Sequence, residues 1–529
     1  MTRTHLTTGA GCALAFTCFF VAPVTQAQMT DLTQTPNAEG VGIAKSLEQQ
    51  VGAGVGNVMT PGSSSFIIAR DPARSIRRGR QLFQRKFTLA QGIGPRARDG
   101  IGDIFAEANI GAGLVESCAG CHGRPRGSAG VGGDVFTRPD SRDAPHLFGL
   151  GLQEMLADEI TRDLRAIRDR AVSDARRFRN SVTRTLTSKG INYGSIRAFP
   201  SGSVDTSGVR GVDPDLRVRP FFAHGGTISI REFVVGAFND EMGLQAFDAL
   251  LIAANAGGRV VTPSGMVLDG SKDRINRGVP NSATDDPDAD GKVNEYPQAL
   301  VDHMEFYLLN YFKPGTYRQT QTTQAGLQLM RQINCTGCHI QNLTIDSDRR
   351  VADVETVYDP PRGIFNDLFA TASLRLIEHN DGSGFPTIKM PAQESFVVRN
   401  FFADMKRHDI GAKFHEREFD GSLRTTFMTE PLWGAGTTAP YGHDGRSINL
   451  REVILRHGGE ATSSRNAFVN LSESGKLAIM EFINSLVLFP PDDTASNLDP
   501  GDPNAAGYPQ RGHGSIRLGA LFNDSTEGE

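Results

Sequence analysis

Apolar residues at helical spacing begin at "SIRRGRQLFQRKF" (75–87) and return at "TQAGLQLMRQIN" (323–334). In each stretch a glycine, Gly79 or Gly326, stands three and four positions before apolar residues. Two further stretches, "SIREFVVGAFNDE" (229–241) and "NLREVILRHGGE" (449–460), predict helices with matching starts. Ser229 with Glu232, and Asn449 with Glu452, have the spacing of a capping box. On the later helix Leu450, Val453, Ile454 and His457 share one face. A fifth stretch, "ADEITRDLRAIRDRAVSDARRFRNSVTRTL" (157–186), predicts one long helix. Its arginines alternate with acidic residues, which suits a solvated face better than a docking surface for an acidic partner. The pattern predicts a mainly α fold with long loops and an inserted helical segment.

The first 27 residues follow a different rule. Arg3 and His5 precede an apolar run from Cys12 to Val24, with small residues at Thr25 and Ala27. This is the layout of a signal peptide (1–27), removed near Ala27, and the run is shorter than the ~20 residues of a membrane span. A periplasmic or secreted protein with no membrane span after signal removal is expected. Residues 28–74 are polar and glycine-rich and read as an N-terminal extension. The 55 basic and 60 acidic residues leave a net charge of -5, which gives no hint of nucleic acid as a partner.

Charge says little, but cysteine says much. Of six cysteines, Cys12 and Cys18 fall in the signal. The other four form "SCAGCH" (117–122) and "NCTGCH" (334–339). Cys-x-x-Cys-His is the attachment pattern of c-type haem: two thiols one helical turn apart add to the vinyl groups, and the histidine ligates iron. A zinc site would need cysteine and histidine pairs closing a tetrahedron, and a thioredoxin-like motif would be single. Neither accounts for a histidine after the second cysteine in both copies. Two covalent c-type haems are expected, tethered by Cys118, Cys121, Cys335 and Cys338. His122 and His339 are the expected iron ligands.

The repeat extends beyond the motifs. "HLFGLGL" (146–152) is similar to "PLWGAGT" (431–437), and "FFAHGGTISIREFVVGAFNDE" (221–241) to "PYGHDGRSINLREVILRHGGE" (440–460). Each half runs helix, haem motif, aromatic-glycine turn, His-x-Gly loop, helix. Two duplicated haem domains follow, at 75–314 and 315–495, with "YFKPGTYRQ" (311–319) at their boundary and a tail from 496 to 529. Between the repeats, "DDPDADGKVNE" (285–295) carries Asp286, Asp288, Asp290, Gly291 and Glu295. Alternate carboxylates before a turn glycine suit Ca²⁺, although Pro297 holds the twelfth position where an EF-hand loop has glutamate. A plain acidic turn is the other reading.

With two motifs and these segments in this order, the sequence resembles the bacterial dihaem cytochrome c peroxidase superfamily. "HLFGLGLQEML", "GAFNDEMGLQ", "MKRHDIGAKF" and "TEPLWGAGTTAPYGHDGR" are most similar to its dihaem oxidoreductase (peroxidase) branch, over roughly residues 75 to 490. Rubber oxygenases are relatives. The resemblance implies cytochrome c-like domains, and a second haem ligated by His339 and, from the last helix, by His457. A bis-histidine iron takes no substrate and relays electrons, at a lower potential than a His/Met iron. In the first half, the position matching His457 is Ala237, followed by Phe238. The first iron is therefore expected to be open opposite His122, with Phe222 and Phe238, and Phe221 nearby, walling that face.

Glu241 followed by Met242 matches the family's proton-transferring glutamate, with Asp240 as competitor. By the same resemblance His224 and His443 hydrogen-bond haem propionates, and Trp433 packs on porphyrin or assists transfer between haems. His408-Asp409 matches a family motif without a physical account of its role. The expected function is peroxide reduction at the first haem with electrons relayed through the second. An electron donor or acceptor protein, a small cytochrome or copper protein, is the expected partner. The alternative is a haem dioxygenase of the rubber-oxygenase type that cleaves an apolar substrate with O₂. A non-enzymatic electron carrier, the third reading, needs both irons six-coordinate.

Overall fold

The computed structural model describes Leu47 and residues 51–88, 91–93, 117–122, 134–135, 140 and 142–488, apart from 279, 312, 363–366 and 419. The expected signal and the tail lie outside the described residues, as does much of the extension. Helices α1 (Ser64–Arg70), α2 (Pro72–Gln84) and α3 (Cys118–Cys121) lead into the first half. They are followed by α4 (Leu150–Phe178), α5 (Ile230–Met242), α6 (Ala249–Asn255) and α7 (Gln298–Asn310). The second half holds α8 (Gln321–Gln332), α9 (Leu450–Arg456), α10 (Thr462–Val469) and α11 (Glu473–Asn484).

The helix that precedes each cysteine motif crosses another helix at a glycine. A Cβ on Gly79 of α2 would lie 2.2 Å from Tyr307 Cβ and 2.4 Å from the His303 carbonyl oxygen on α7. One on Gly326 of α8 would lie 2.0 Å from the Ala478 carbonyl oxygen on α11. These crossings need a residue without a side chain. Around α2, α5 and α7 a core gathers Leu82, Phe83, Val234, Phe238, Leu300 and Tyr307, and a second core around α8 and α11 gathers Met330, Phe402, Phe468, Ile479 and Phe482.

The fold is mixed rather than mainly α. Among the described residues nineteen short strands form eight sheets beside the helices. The predicted helix over 157–186 shows why. It runs as α4 only to Phe178 and stops at Arg179, which adopts the left-handed conformation (φ 51°). "VTRTLTS" (182–188) then alternates β-branched and polar residues and becomes a strand. It pairs antiparallel with Ile191–Ala198 through a two-residue turn, Lys189 (φ 48°) and Gly190 (φ 81°), the positive-φ pair that a tight hairpin requires. In the largest sheet, Lys313–Thr316 lies between Ala352–Tyr358 and Leu486–Val487, with Leu368–Leu374 at the far edge. The central strand takes partners far along the chain, Glu355 opposite Lys313 and Leu486 opposite Thr316, so helical periodicity carried no sign of the sheet.

Arg231 holds α5 to α7. It is fully buried and paired with Asp302 (2.9 Å) and Glu305 (2.7 Å) of α7, and with Asp248 (2.6 Å) ahead of α6. Three buried carboxylates keep its charge far from titration despite the burial. This pins the helix that lines the site. Among the described residues no helix is long and apolar enough to cross a membrane.

Candidate active site

Both cysteine motifs open onto one cavity of about 1090 Å³, just above the roughly 300–1,000 Å³ of ordinary ligand pockets. Cys118, Cys121 and His122 stand on its wall in the first half, Cys335, Cys338 and His339 in the second. The four cysteines are free thiols. Burial pushes the Cys118 thiol up to about 12 and those of Cys121 and Cys335 up to about 11.

Local geometry aims the histidines. α3 is a single turn, closed by His122 N donating to the Cys118 carbonyl (3.0 Å), and the second motif folds alike, with His339 N donating to Cys335 (3.1 Å). His122 Nδ1 donates to the Pro145 carbonyl at 2.7 Å, and His339 Nδ1 to the Phe402 carbonyl at 2.9 Å. A carbonyl can only accept, so each ring carries its proton on Nδ1 and presents Nε2 as a lone-pair donor. Burial lowers both, His339 to about 4, which favours the neutral, metal-binding form.

The opposite walls come from the matched helices. Ser229 and Asn449 cap α5 and α9 by accepting from Glu232 N and Glu452 N, and the glutamates reach back to Ile228 N and Ile448 N. The loops before them carry equivalent bridges, Phe221 to Thr227 and Tyr441 to Ser447. α9 ends at Arg456, and His457 forms its C-cap with Nδ1 donating to the Val453 carbonyl at 2.7 Å. Its Nε2 thereby keeps a lone pair, and it lies near enough to His339 to lower that residue electrostatically. α5 instead continues to Met242, and Ala237, Phe238, Asp240 and Glu241 line the cavity from it. Glu241 lies close to Cys121, whose thiol its charge raises further.

Aromatic rings fill the first half of the wall. Phe222 packs on Phe233 (5.3 Å), Phe233 lies edge-on to His122 (6.3 Å), and Phe238 lies against Tyr296 (3.8 Å between centroids). His224 stacks near Phe222 (5.9 Å), and His443 stacks on Phe427 (3.9 Å) with its ring lowered to about 4 by burial. Trp433 is wedged between the halves. Its ring would touch a Cβ on Gly149 at 2.6 Å, it meets Phe401 edge-on, and its carbonyl accepts from His146 Nε2 (3.0 Å).

These residues fit two haems. Beyond the paired thiols and aimed imidazoles, the buried Trp433 Nε1 has no hydrogen-bond partner among the described residues, although it lines the cavity. A buried donor without an acceptor is costly, and an acidic group of a cofactor would satisfy it.

Sequence reasoning missed a cluster under the second motif. His408 bridges Asp404 Oδ2 (2.8 Å) and Glu460 Oε2 (2.9 Å) beside Cys338. Burial opposes its charge, but Asp404, Cys338 and Glu460 outweigh burial and push it up to about 11. The His408-Asp409 doublet was the available signal, but the partners come from elsewhere in the chain. Glu430 was also missed. It faces the cavity, where burial raises its carboxyl to about 7. The predicted Asp286, Asp288 and Asp290 do converge, with ligand oxygens within 4.8 Å of one another.

No curated protein matches the chain. Residues 362–486, which hold His408, Trp433, His443 and His457, match the family described as "Di-haem oxidoreductase, putative peroxidase", and over that stretch the chain is similar to a di-haem oxidoreductase.

Proposed function

We propose that the protein is an exported dihaem c-type oxidoreductase of the peroxidase type, reducing peroxide in its first half and relaying electrons through its second. One observation carries this reading: a single cavity offers His457 opposite the second motif, but Ala237 and Phe238 at the matched place in the first. The four cysteines would tether haem and the Nε2 atoms of His122, His339 and His457 would hold its iron, which would supply the redox chemistry. Reduction of H₂O₂ to two waters takes up two electrons and two protons. Glu241 at the end of α5 holds and moves a proton there, with Asp240 beside it. Phe222, Phe233 and Phe238 exclude bulk water, so that proton movement depends on the carboxylate. The electrons come from a donor protein, a small cytochrome or copper protein, which docks on the second half.

The same phenylalanine wall supports a second reading, cleavage of an apolar unsaturated substrate with O₂. Turnover separates the two. The peroxidase consumes H₂O₂ only with an electron donor, whereas the oxygenase cleaves a hydrocarbon with none. EPR of the oxidised protein should show one low-spin and one high-spin iron. Two low-spin signals that persist after partial reduction would leave only an electron carrier.

A further inference from the structure

The loop between α6 and α7 carries chemistry that peroxide reduction does not use. Asp286, Asp288 and Asp290 sit at alternate positions, and their carboxylates turn inward together. Asp286 accepts from Asp290 N (3.1 Å) and Gly291 N (2.8 Å), and Gly291 has φ 82°, so the chain reverses tightly around the first carboxylate. An acidic turn alone would show as much. Three side chains from outside that turn show more.

Glu295 is buried (6% exposed), its Oε2 accepts from Gln245 N (2.7 Å), and its Oε1 has no hydrogen-bond partner. Gln245, 2% exposed, donates Nε2 to Asp288 Oδ1 (2.7 Å), and its Oε1 is also buried without a partner. Gln245 thus bonds both Glu295 and Asp288. Asn294 Oδ1 is the third buried oxygen without a partner. Lys292 Nζ contacts Asp290 Oδ2 (3.2 Å), but neither Asp288 nor Glu295 has an ion pair among the described residues. Three aspartate carboxylates converge, and Gln245 joins the buried Glu295 to them. Burial first, and then the facing aspartates, push Glu295 up to about 8.

We propose that Asp286, Asp288, Asp290 and Glu295, with the amide oxygens of Gln245 and Asn294, form a Ca²⁺ site. Ca²⁺ takes six to eight oxygens in flexible geometry, whereas Mg²⁺ demands an octahedron and keeps its waters. Asp286, Asp288, Asp290 and Asn294 occupy positions 1, 3, 5 and 9 of an EF-hand-like loop with glycine at 6. Glu295 supplies from position 10 the carboxylate that Pro297 cannot supply from position 12. The site adjoins the cavity wall. Tyr296 follows Glu295 and lies against Phe238, and Gly92 passes so close that a Cβ there would lie 2.2 Å from Glu295 Cδ. The ion therefore braces the Phe238 face of the first half.

The test uses the full-length holoprotein, stripped with a chelator and titrated with Ca²⁺ by calorimetry. One saturable Ca²⁺ per chain is expected, with a Tm rise of at least about 2 °C on adding it back. Asp288→Asn/Asp290→Asn should abolish both, and Glu295→Gln should weaken binding by about tenfold or more. Absence of saturable binding in the stripped parent overturns the proposal, whether or not the variants fold. So does unchanged affinity in the double variant, or Mg²⁺ binding as tight as Ca²⁺. None of these readouts depends on peroxide turnover, so the site and the enzymatic reading stand or fall separately.

Discussion

Ala237 and His457 both stand eight residues after the N-caps of matched helices, Ser229 and Asn449, and both line one cavity. The helices then part company. α9 stops and turns His457 toward the cavity by its bond to the Val453 carbonyl, while α5 runs on to Met242.

Ala237→His should therefore place an imidazole opposite His122. The first iron is expected to become six-coordinate and low-spin by EPR, and CO and cyanide binding should slow. Binding of either ligand as fast as in the parent would show that α5 does not cover the first iron. The reciprocal change, His457→Ala, should turn the second iron high-spin with covalent haem retained. A surviving low-spin signal would point to Met428, which also lines the cavity.

Glu241→Gln keeps the shape of the side chain and removes its proton. Peroxide turnover should fall by about two to four orders of magnitude, the range of a general acid–base group, with the haem spectra unchanged. Unaltered turnover would move the role to Asp240.

Gly326→Ala should destabilise the second half by about 1–3 kcal/mol. The new Cβ would sit 2.0 Å from the Ala478 carbonyl oxygen, a backbone atom that cannot swing away. The denaturation midpoint of the holoprotein measures this. No loss of stability would mean that α8 and α11 do not cross there in solution.

His408→Gln should cost roughly 1.5–3 kcal/mol near pH 7, the worth of a charged hydrogen bond, because Asp404 keeps only Thr429 Oγ1 and Lys406 N. The pH dependence has a definite sign. The folded pKa of His408 is raised from 6.5 to about 11, so its contribution is complete below 6.5 and is lost as pH rises toward 11. The stability gap between parent and variant should shrink across that window. A gap that widens with pH would show that His408 is neutral in the fold.

How far the sequence reached can be judged residue by residue. The cysteine motifs, the Ser229 and Asn449 caps and the glycines at 79 and 326 were all legible, because each depends on residues a few positions apart. The convergence of His408 with Glu460, 52 residues on, and of Gln245 with Glu295, 50 residues on, was not. The sheets failed for the same reason. Lys313–Thr316 gains its partners from 352–358 and 486–487, and no local period announces a pairing across that distance. By itself the sequence determined the spacing of the cysteines and histidines in the two motifs and that Ala237 stands where the matched helix has His457, since spacing along a helix fixes what shares a face. Only the tertiary structure decided that both motifs open onto one cavity and that His408 sits between Asp404 and Glu460. Shared walls and burial depend on segments far apart in the chain meeting in space.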